Sequence, residues 1–349
     1  MSRNRPEMEN GPAPADGARR LRWGVLGSAQ IARVCVVPAL TRSRNGKVLA
    51  LASRALERAQ MLAQEHAISV AYGRYDELLE DPAVEAVYIP LPNHLHREWT
   101  LRTIRAGKHV LCEKPLALNA EEAQEMLEAA QNAGVLLMEA FMYRFHPRSR
   151  RIKALVDQGT IGDPRLIRVA FCFKHPDPTD FRFHPEMGGG ALLDVGCYGV
   201  SVARWILGAE PEVVQASAEY GPSGVDLTTV GLLRFPEGRL AIIEASFVTA
   251  LQQTYTIVGT DGAIELLHDA FVPWEKDATF QLRGIDDEQG KLETVPGADE
   301  YQLMVEHFAD AALGRGRLEF SPEESLGNMR VLDALARAAR EGYPVAVAH

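Results

Sequence analysis

The sequence predicts an α/β protein in two parts: a doubly wound domain on a parallel sheet, then an α+β domain with a large, mostly antiparallel, open-faced sheet. Three observations predict this. From Leu21 to about Glu139, short apolar runs without polar alternation are separated by amphipathic helical patterns, the mark of βαβ units around a sheet covered on both faces. After about Arg144, strand patterns follow one another with few helices between them and with turn signals such as Pro236-Glu237-Gly238 and Thr260-Asp261-Gly262. The chain has 349 residues and 46% apolar content, enough for two cores.

Residues 1–20, "MSRNRPEMENGPAPADGARR", are polar, rich in Pro and Gly, and lack the apolar segment of a signal peptide, so they read as a disordered leader. Arg19-Arg20 leads straight into a strand pattern rather than an export signal, and a cytoplasmic location is expected. Residues 21–143 form the predicted dinucleotide-binding domain. Its strands are "RWGVLG", "VLALAS", "VEAVYIP", "HVLCEK" and "VLLMEA", and its helices "AQIARVCVVPAL", "LERAQMLAQEHA", "HREWTLRTIRAG" and "AEEAQEMLEAAQNAG". Residues 144–349 form the predicted substrate and oligomerisation domain, with strands "PRLIRVAFCF", "VVQASAEY", "DLTTVGLLRF", "LAIIEASFV", "TYTIVGT" and "GAIELL". Two helical patterns close the chain and are expected to pack back on the first domain; the second has Ser321 as N-cap with Glu324 three residues on.

A net charge of -10 argues against a nucleic-acid partner, and no apolar run approaches the roughly 20 residues that span a bilayer. The cysteines, Cys35, Cys112, Cys172 and Cys197, lack metal-ligand spacing and read as packed thiols; no metal is expected.

"WGVLGSAQIA" ends the first strand and opens the first helix. Gly27 takes the tight-turn position of the dinucleotide fingerprint, Ala29 stands where the second glycine usually is, and Ala32 takes the helix-packing position. Backbone N–H groups along Gly27, Ser28, Ala29, Gln30 and Ile31 are thereby placed to hold a pyrophosphate. An enzyme that uses NAD usually has an acidic residue about 20 positions further on, yet no Asp or Glu occurs between Gly27 and Glu57. The second strand ends instead in Ser53-Arg54, with Arg58 a helical turn on, donors suited to a 2′-phosphate. NADP is expected, with NAD as the alternative; the competing reading makes Arg54 and Arg58 a solvated helix face.

Glu113-Lys114-Pro115 lies at the carboxyl end of a strand, where open parallel sheets bind ligands. Proline stops the ladder, Lys114 points into the crevice and Glu113 supplies a nearby charge. In "MGGGALLDVGCYGVSVARWILG", Met187 to Gly208, three glycines bring backbone close to something, and a helix runs from about Ala191 to Leu207. Asp194 and Tyr198, four apart, share a face of it and frame a substrate hydroxyl. The structural alternative is a capping Asp and a core Tyr.

The segments "GVLGSAQIA", "VYIPLPNHLHREWTLRTIRAGKHVLCEKP", "EAFMYRFHP" and "GGGALLDVGCYGVSVARWILG", in order and over most of the chain, resemble the superfamily of glucose-fructose oxidoreductase, inositol dehydrogenase and rhizopine-catabolism oxidoreductases. The pattern is most similar to the subgroup with glucose-fructose oxidoreductase, NADP-dependent D-xylose dehydrogenase and dimeric dihydrodiol dehydrogenase, because Tyr198 stands where inositol dehydrogenases have His. The resemblance implies that Lys114 hydrogen-bonds the reacting oxygen, that Tyr198 exchanges the hydroxyl proton and that Asp194 orients the substrate or the lysine. It implies that Leu91, Pro92, Asn93 and His94 line the nicotinamide side, that Glu113 and Arg144 adjoin the cofactor, and that Phe183 and His184 form part of a lid over the substrate. A departure is Ser201, where the family often has Asn or Asp for polyol hydroxyls.

The expected function is NADP-dependent hydride transfer to or from a carbinol or carbonyl carbon of a sugar or cyclic vicinal diol, a small polyhydroxylated substrate, by a homodimer or homotetramer formed through the open sheet. A sugar-sensing regulator without turnover and an enzyme with permanently bound cofactor are the competing classes.

Overall fold

The computed structural model describes residues 19–287 and 289–348. Most of the predicted leader, residues 1–18, lies outside them. The chain divides into two compact units. Among the described residues, the first comprises 19–117, 121–145 and 299–325, and the second 118–120, 146–298 and 326–348.

The first unit carries a six-stranded sheet ordered β3-β2-β1-β4-β5-β6, with every neighbouring pair parallel. The strands are β1 (Leu21–Leu26), β2 (Gly46–Ala52), β3 (Val70–Tyr72), β4 (Ala86–Ile89), β5 (His109–Cys112) and β6 (Leu137–Glu139). Five were legible as apolar runs; β3, three residues long and only half-buried, was not. The chain winds outward one way from β1 and the other way from β4, so the strand order reverses between them, where doubly wound sheets bind ligands. The helices α1 (Val37–Arg42), α2 (Leu56–Glu65), α3 (Tyr75–Glu80), α4 (His96–Arg105) and α5 (Ala120–Ala133) connect the strands.

The C-terminal helix α8 (Glu300–Ala312) belongs to this unit. Phe308, fully buried, meets Trp23 of β1 at 5.1 Å between ring centroids, a contact that with its burial contributes about 2 kcal/mol. Polar clamps fix the helix: the Asn45 side-chain amide donates to the Glu306 carbonyl at 2.8 Å, and Arg44 pairs with Glu306 at 3.1 Å.

The second unit carries nine strands in the order β14-β13-β12-β11-β7-β10-β9-β8-β15. These are β7 (Pro164–Lys174), β8 (Val213–Tyr220), β9 (Asp226–Arg234), β10 (Leu240–Ser246), β11 (Val248–Gly259), β12 (Gly262–Leu266), β13 (Ala278–Gly284), β14 (Lys291–Val295) and β15 (Val345–Ala346). Only β7 and β10 pair in parallel. On one face lies the helix α7 (Cys197–Leu207) with a π-helical turn, Leu192–Gly196, before it; Ala191 and Val195 pack on Ala245 and Phe247. On the other, alternation along β9 leaves Val230 and Leu232 exposed. Helix α6 (Pro147–Asp157) also belongs here, capped by the His146 ring, and α9 (Pro322–Glu341) is capped by Ser321, whose Oγ accepts from Glu324 N–H at 3.4 Å.

Residues 185–207 are long and apolar enough by composition to cross a bilayer, which the sequence reading missed, but 89% of that window is buried inside the protein. This is a core helix covering a sheet.

Candidate active site

In the first unit the chain leaves β1 through Gly27, whose φ of +102° places it where side-chain-bearing residues are strained. A Cβ there would also come within 2.9 Å of Leu91 at the end of β4. The turn thus needs glycine for both reasons. Ser28, Ala29 and Ile31 are half-buried and Gln30 is exposed as the helix opens; Ala32, fully buried, packs it down, within a π-helical turn (Ala32–Val36). Such turns gather at functional sites.

At the end of β2, Ser53 is buried and its N–H donates to the Tyr72 carbonyl of β3, while Arg54 is exposed, near enough to Tyr75 for its charge to act on the phenol. Arg54, Gly73, Arg74, Tyr75, Leu95, Glu98 and Trp99 line a cleft of about 380 Å³, and Glu98 pairs with Arg102 at 2.9 Å. Tyr75 meets Trp99 edge to face at 4.8 Å, and the Arg102 guanidinium lies 4.7 Å over the Trp99 ring. Arg58 is exposed on α2 and does not line the cleft. Sequence reasoning passed over Arg74, Tyr75 and Trp99 because the strand that presents the first two, β3, gave no apolar signal.

The Glu113–Leu116 turn after β5 carries Lys114, and its Lys114–Pro115 peptide bond is cis. Several groups fix it. Glu113 N–H donates to the Ile89 carbonyl at 3.1 Å, and the fully buried Tyr88 hydroxyl donates to Glu113 Oε1 at 2.7 Å. The Leu116 N–H donates to buried Glu139 at 2.9 Å. His96, fully buried, has Nδ1 2.8 Å from the Pro115 carbonyl oxygen and Nε2 2.7 Å from the Leu91 carbonyl oxygen. It therefore ties the lysine turn to the loop of Leu91, Pro92, Asn93 and His94. Burial holds the imidazole pKa down to about 4 against the pull of the two carbonyls, with the Lys114 charge adding to the effect. His96 carries no signal in the sequence, since its value to the loop is visible only once β4 and β5 are neighbours.

Arg144, largely buried, pairs with Glu324 at 2.7 Å and lies 4.6 Å over the Phe320 ring. These contacts set it among packing groups of the first unit.

In the second unit, Asp194 and Tyr198 are both 5% exposed, on the π turn and the first turn of α7. The Asp194 carboxylate accepts from Arg182 Nε at 2.8 Å, and Arg182 also donates to Asp180 at 3.1 Å. Despite the desolvation cost of its site, the two carboxylates raise the Arg182 pKa above its ordinary value, so the guanidinium stays charged. Tyr198 packs against both Phe171 and Phe271, at 5.1 and 4.9 Å, and those two rings stack on each other at 5.1 Å. Phe183 packs on Phe247 at 5.8 Å and His175 at 5.4 Å, while the half-buried His184 has its ring 3.3 Å from Glu186. The glycine run approaches the protein's own backbone: a Cβ on Gly189 would come within 2.5 Å of the Arg182 carbonyl oxygen and 2.9 Å of that of His184. These glycines fold the segment that presents Arg182.

A parallel sheet with a glycine turn at its switch point, and a lysine held rigidly at a neighbouring strand end, defines a nucleotide-binding oxidoreductase. The chain belongs to the GFO/IDH/MocA oxidoreductases: residues 21–141 match the oxidoreductase family with an NAD-binding Rossmann fold, and residues 149–265 match the GFO/IDH/MocA C-terminal domain. The chain is 39% identical to D-xylose 1-dehydrogenase (NADP(+)) 2 of Haloferax volcanii, over 93% of this chain and 99% of that one. It is 37% identical to a trans-1,2-dihydrobenzene-1,2-diol dehydrogenase of Xenopus tropicalis, over 72% and 77% of the two chains. A 3-ketoreductase from Actinomadura kijaniata, solved with NADP and TDP-benzene, superposes with a TM-score of 0.86 at 32% identity, covering 92% of this chain and 98% of that one.

Proposed function

We propose that this protein is an NADP-dependent oxidoreductase that interconverts a carbinol and a carbonyl on a sugar or a cyclic vicinal diol. The observation that carries the reading is Lys114 at a strand end of the nucleotide-binding unit, on a turn whose neighbours Glu113, Pro115 and Leu116 are each hydrogen-bonded in place. The residues fit the cofactor: a glycine-only turn opens a helix, and a cleft beside it is lined by Arg54 and Arg74, with its carboxylate, Glu98, already paired to Arg102. Bound nicotinamide accepts or gives the hydride at its C4.

In the oxidative direction Tyr198 takes the hydroxyl proton as hydride leaves the same carbon; in reduction it returns that proton to the new alkoxide. The Lys114 ammonium stabilises the reacting oxygen as its charge grows. Asp194, held by Arg182, orients the reacting hydroxyl. The rings around Tyr198 keep water from its hydroxyl and give a cyclic substrate an apolar wall.

The test follows reduced-nicotinamide absorbance with NADP or NAD and a panel of aldoses, inositols, 1,5-anhydro sugars and trans-dihydrodiols. Turnover with NADP, falling about 100-fold or more in kcat for Tyr198→Phe at unchanged cofactor affinity, is the expected result. Full activity in that variant would remove Tyr198 from the reaction. We further propose that the exposed face of the nine-stranded sheet joins copies of the chain.

A further inference from the structure

We propose that Arg148 is a positioning residue for the reaction: its buried guanidinium shapes the turn at Asp269 so that Phe271 holds the phenol ring of Tyr198 for proton transfer. The inference rests on the role of Tyr198 proposed above and adds to it a residue that acts through other side chains.

Arg148 stands in the first turn of α6 and is 1% exposed, a burial that an arginine tolerates only with partners. Its guanidinium keeps its charge, so acceptors must offset the lost hydration. Those acceptors are main-chain carbonyls from elsewhere in the second unit. Nη2 donates to the Asp269 carbonyl at 2.6 Å and to that of Ala270 at 3.0 Å, and Nη1 to that of Thr279, in β13, at 3.4 Å. The Arg148 N–H donates to the His146 ring at 3.0 Å, which anchors the root of the side chain.

The turn it grips is strained. Asp269 has a φ of +49°, in the left-handed region where a residue other than glycine persists only if its surroundings hold it there. The Ala270 N–H donates to the Gln253 carbonyl of β11 at 2.9 Å, so both backbone groups of Ala270 are engaged and the chain enters Phe271 in a fixed direction. Phe271 is fully buried; its ring stacks on Phe171 at 5.1 Å and meets the Tyr198 ring at 4.9 Å. Buried Tyr255 also meets it, at 6.3 Å. A phenol that transfers a proton must keep its oxygen within about 3 Å of the reacting hydroxyl, and a misplacement of about 1 Å can lower the rate about 100-fold. A guanidinium fork reaches several carbonyls at once, which a lysine ammonium in its place could not.

The experiment compares wild type, Arg148→Met, Arg148→Lys, Phe271→Leu and the double variant Arg148→Met with Phe271→Leu. Steady-state kinetics use NADP and the best substrate of the panel. Fluorine NMR follows the intact protein labelled with fluorotyrosine, in which the Tyr198 signal is the one missing from Tyr198→Phe; thermal unfolding checks that each variant is folded. Arg148→Met is expected to lower kcat about tenfold or more at unchanged KM for NADP and to shift or broaden the Tyr198 signal. Phe271→Leu is expected to do the same while the Arg148 bonds to the turn remain. The double variant is expected to fall no further than the worse single one, because both act along one path. Arg148→Lys, which keeps the charge, is expected to lie between wild type and Arg148→Met, and it carries the test if Arg148→Met does not fold. Wild-type kcat or an unmoved Tyr198 signal in folded Arg148→Met, or in Phe271→Leu, overturns the assignment, as does a loss confined to KM or a double variant whose losses add. A wild type without turnover across the panel overturns the oxidoreductase reading and the role in proton transfer with it, while the fluorine signal separately tells whether Arg148 sets the ring.

Discussion

Two buried histidines tie stability to pH. His96 in the first unit and His146 in the second are both held down to about 4, by burial in each case, with the charges of Lys114 and Arg148 adding to it. His146 must be neutral for its own reason, because its Nδ1 accepts the Arg148 N–H that caps α6. The unfolded chain binds protons at these residues below about 6.5, and the native chain does not until about pH 4. Native stability is therefore fully present above about pH 6.5 and is lost as pH falls through that window, by roughly 1.4 kcal/mol per unit per histidine. Urea unfolding at pH 7 and pH 5 is expected to show a smaller fall for His146→Asn, which keeps a capping oxygen, than for wild type; identical falls would remove His146 as a source. At this scale the sequence was legible where a residue's partners are close along the chain. Lys114 and Tyr198 stood out beside proline and glycine signals, whereas Arg74 and His96 draw their meaning from strands far apart in sequence.

The elements that present the site depend on chain geometry that tolerates no side chain. Gly189 is the sharpest case, since the atoms facing its missing Cβ are backbone carbonyls, which cannot turn aside as a side chain would. Gly189→Ala is expected to cost about 2–4 kcal/mol by thermal unfolding and to shift the segment 181–187 that holds Arg182 against Asp194. A variant as stable as wild type would mean that the segment can yield. The glycine run was visible in the sequence, but what it approached was not, since the contact is with a turn of irregular backbone. Strand legibility followed burial: β1, β2, β4, β5, β7 and β10 carry apolar residues at interior positions. The edge strands β14 and β15, which are polar or two residues long, left no pattern.

For the whole molecule, the open sheet sets an expectation about assembly. Val230 and Leu232 are 45% and 36% exposed on the face opposite the helices, with Ile242 paired beside Leu232 on β10. Light scattering after size exclusion is expected to give a dimer or tetramer, and Val230→Lys with Leu232→Glu to reduce it to the monomer; a monomeric wild type would refute the proposal. The two-part architecture was readable because periodicity changes near residue 144, but periodicity cannot say to which core a later helix returns. Residues 299–325 return to the first unit, where α8 sets Phe308 against Trp23 of the first strand. The chain thus begins a core with its opening strand and closes it nearly three hundred residues later. No single cut yields both units whole, and a ribosome must deliver the whole of the nine-stranded sheet but its last strand before the nucleotide-binding unit has all its parts.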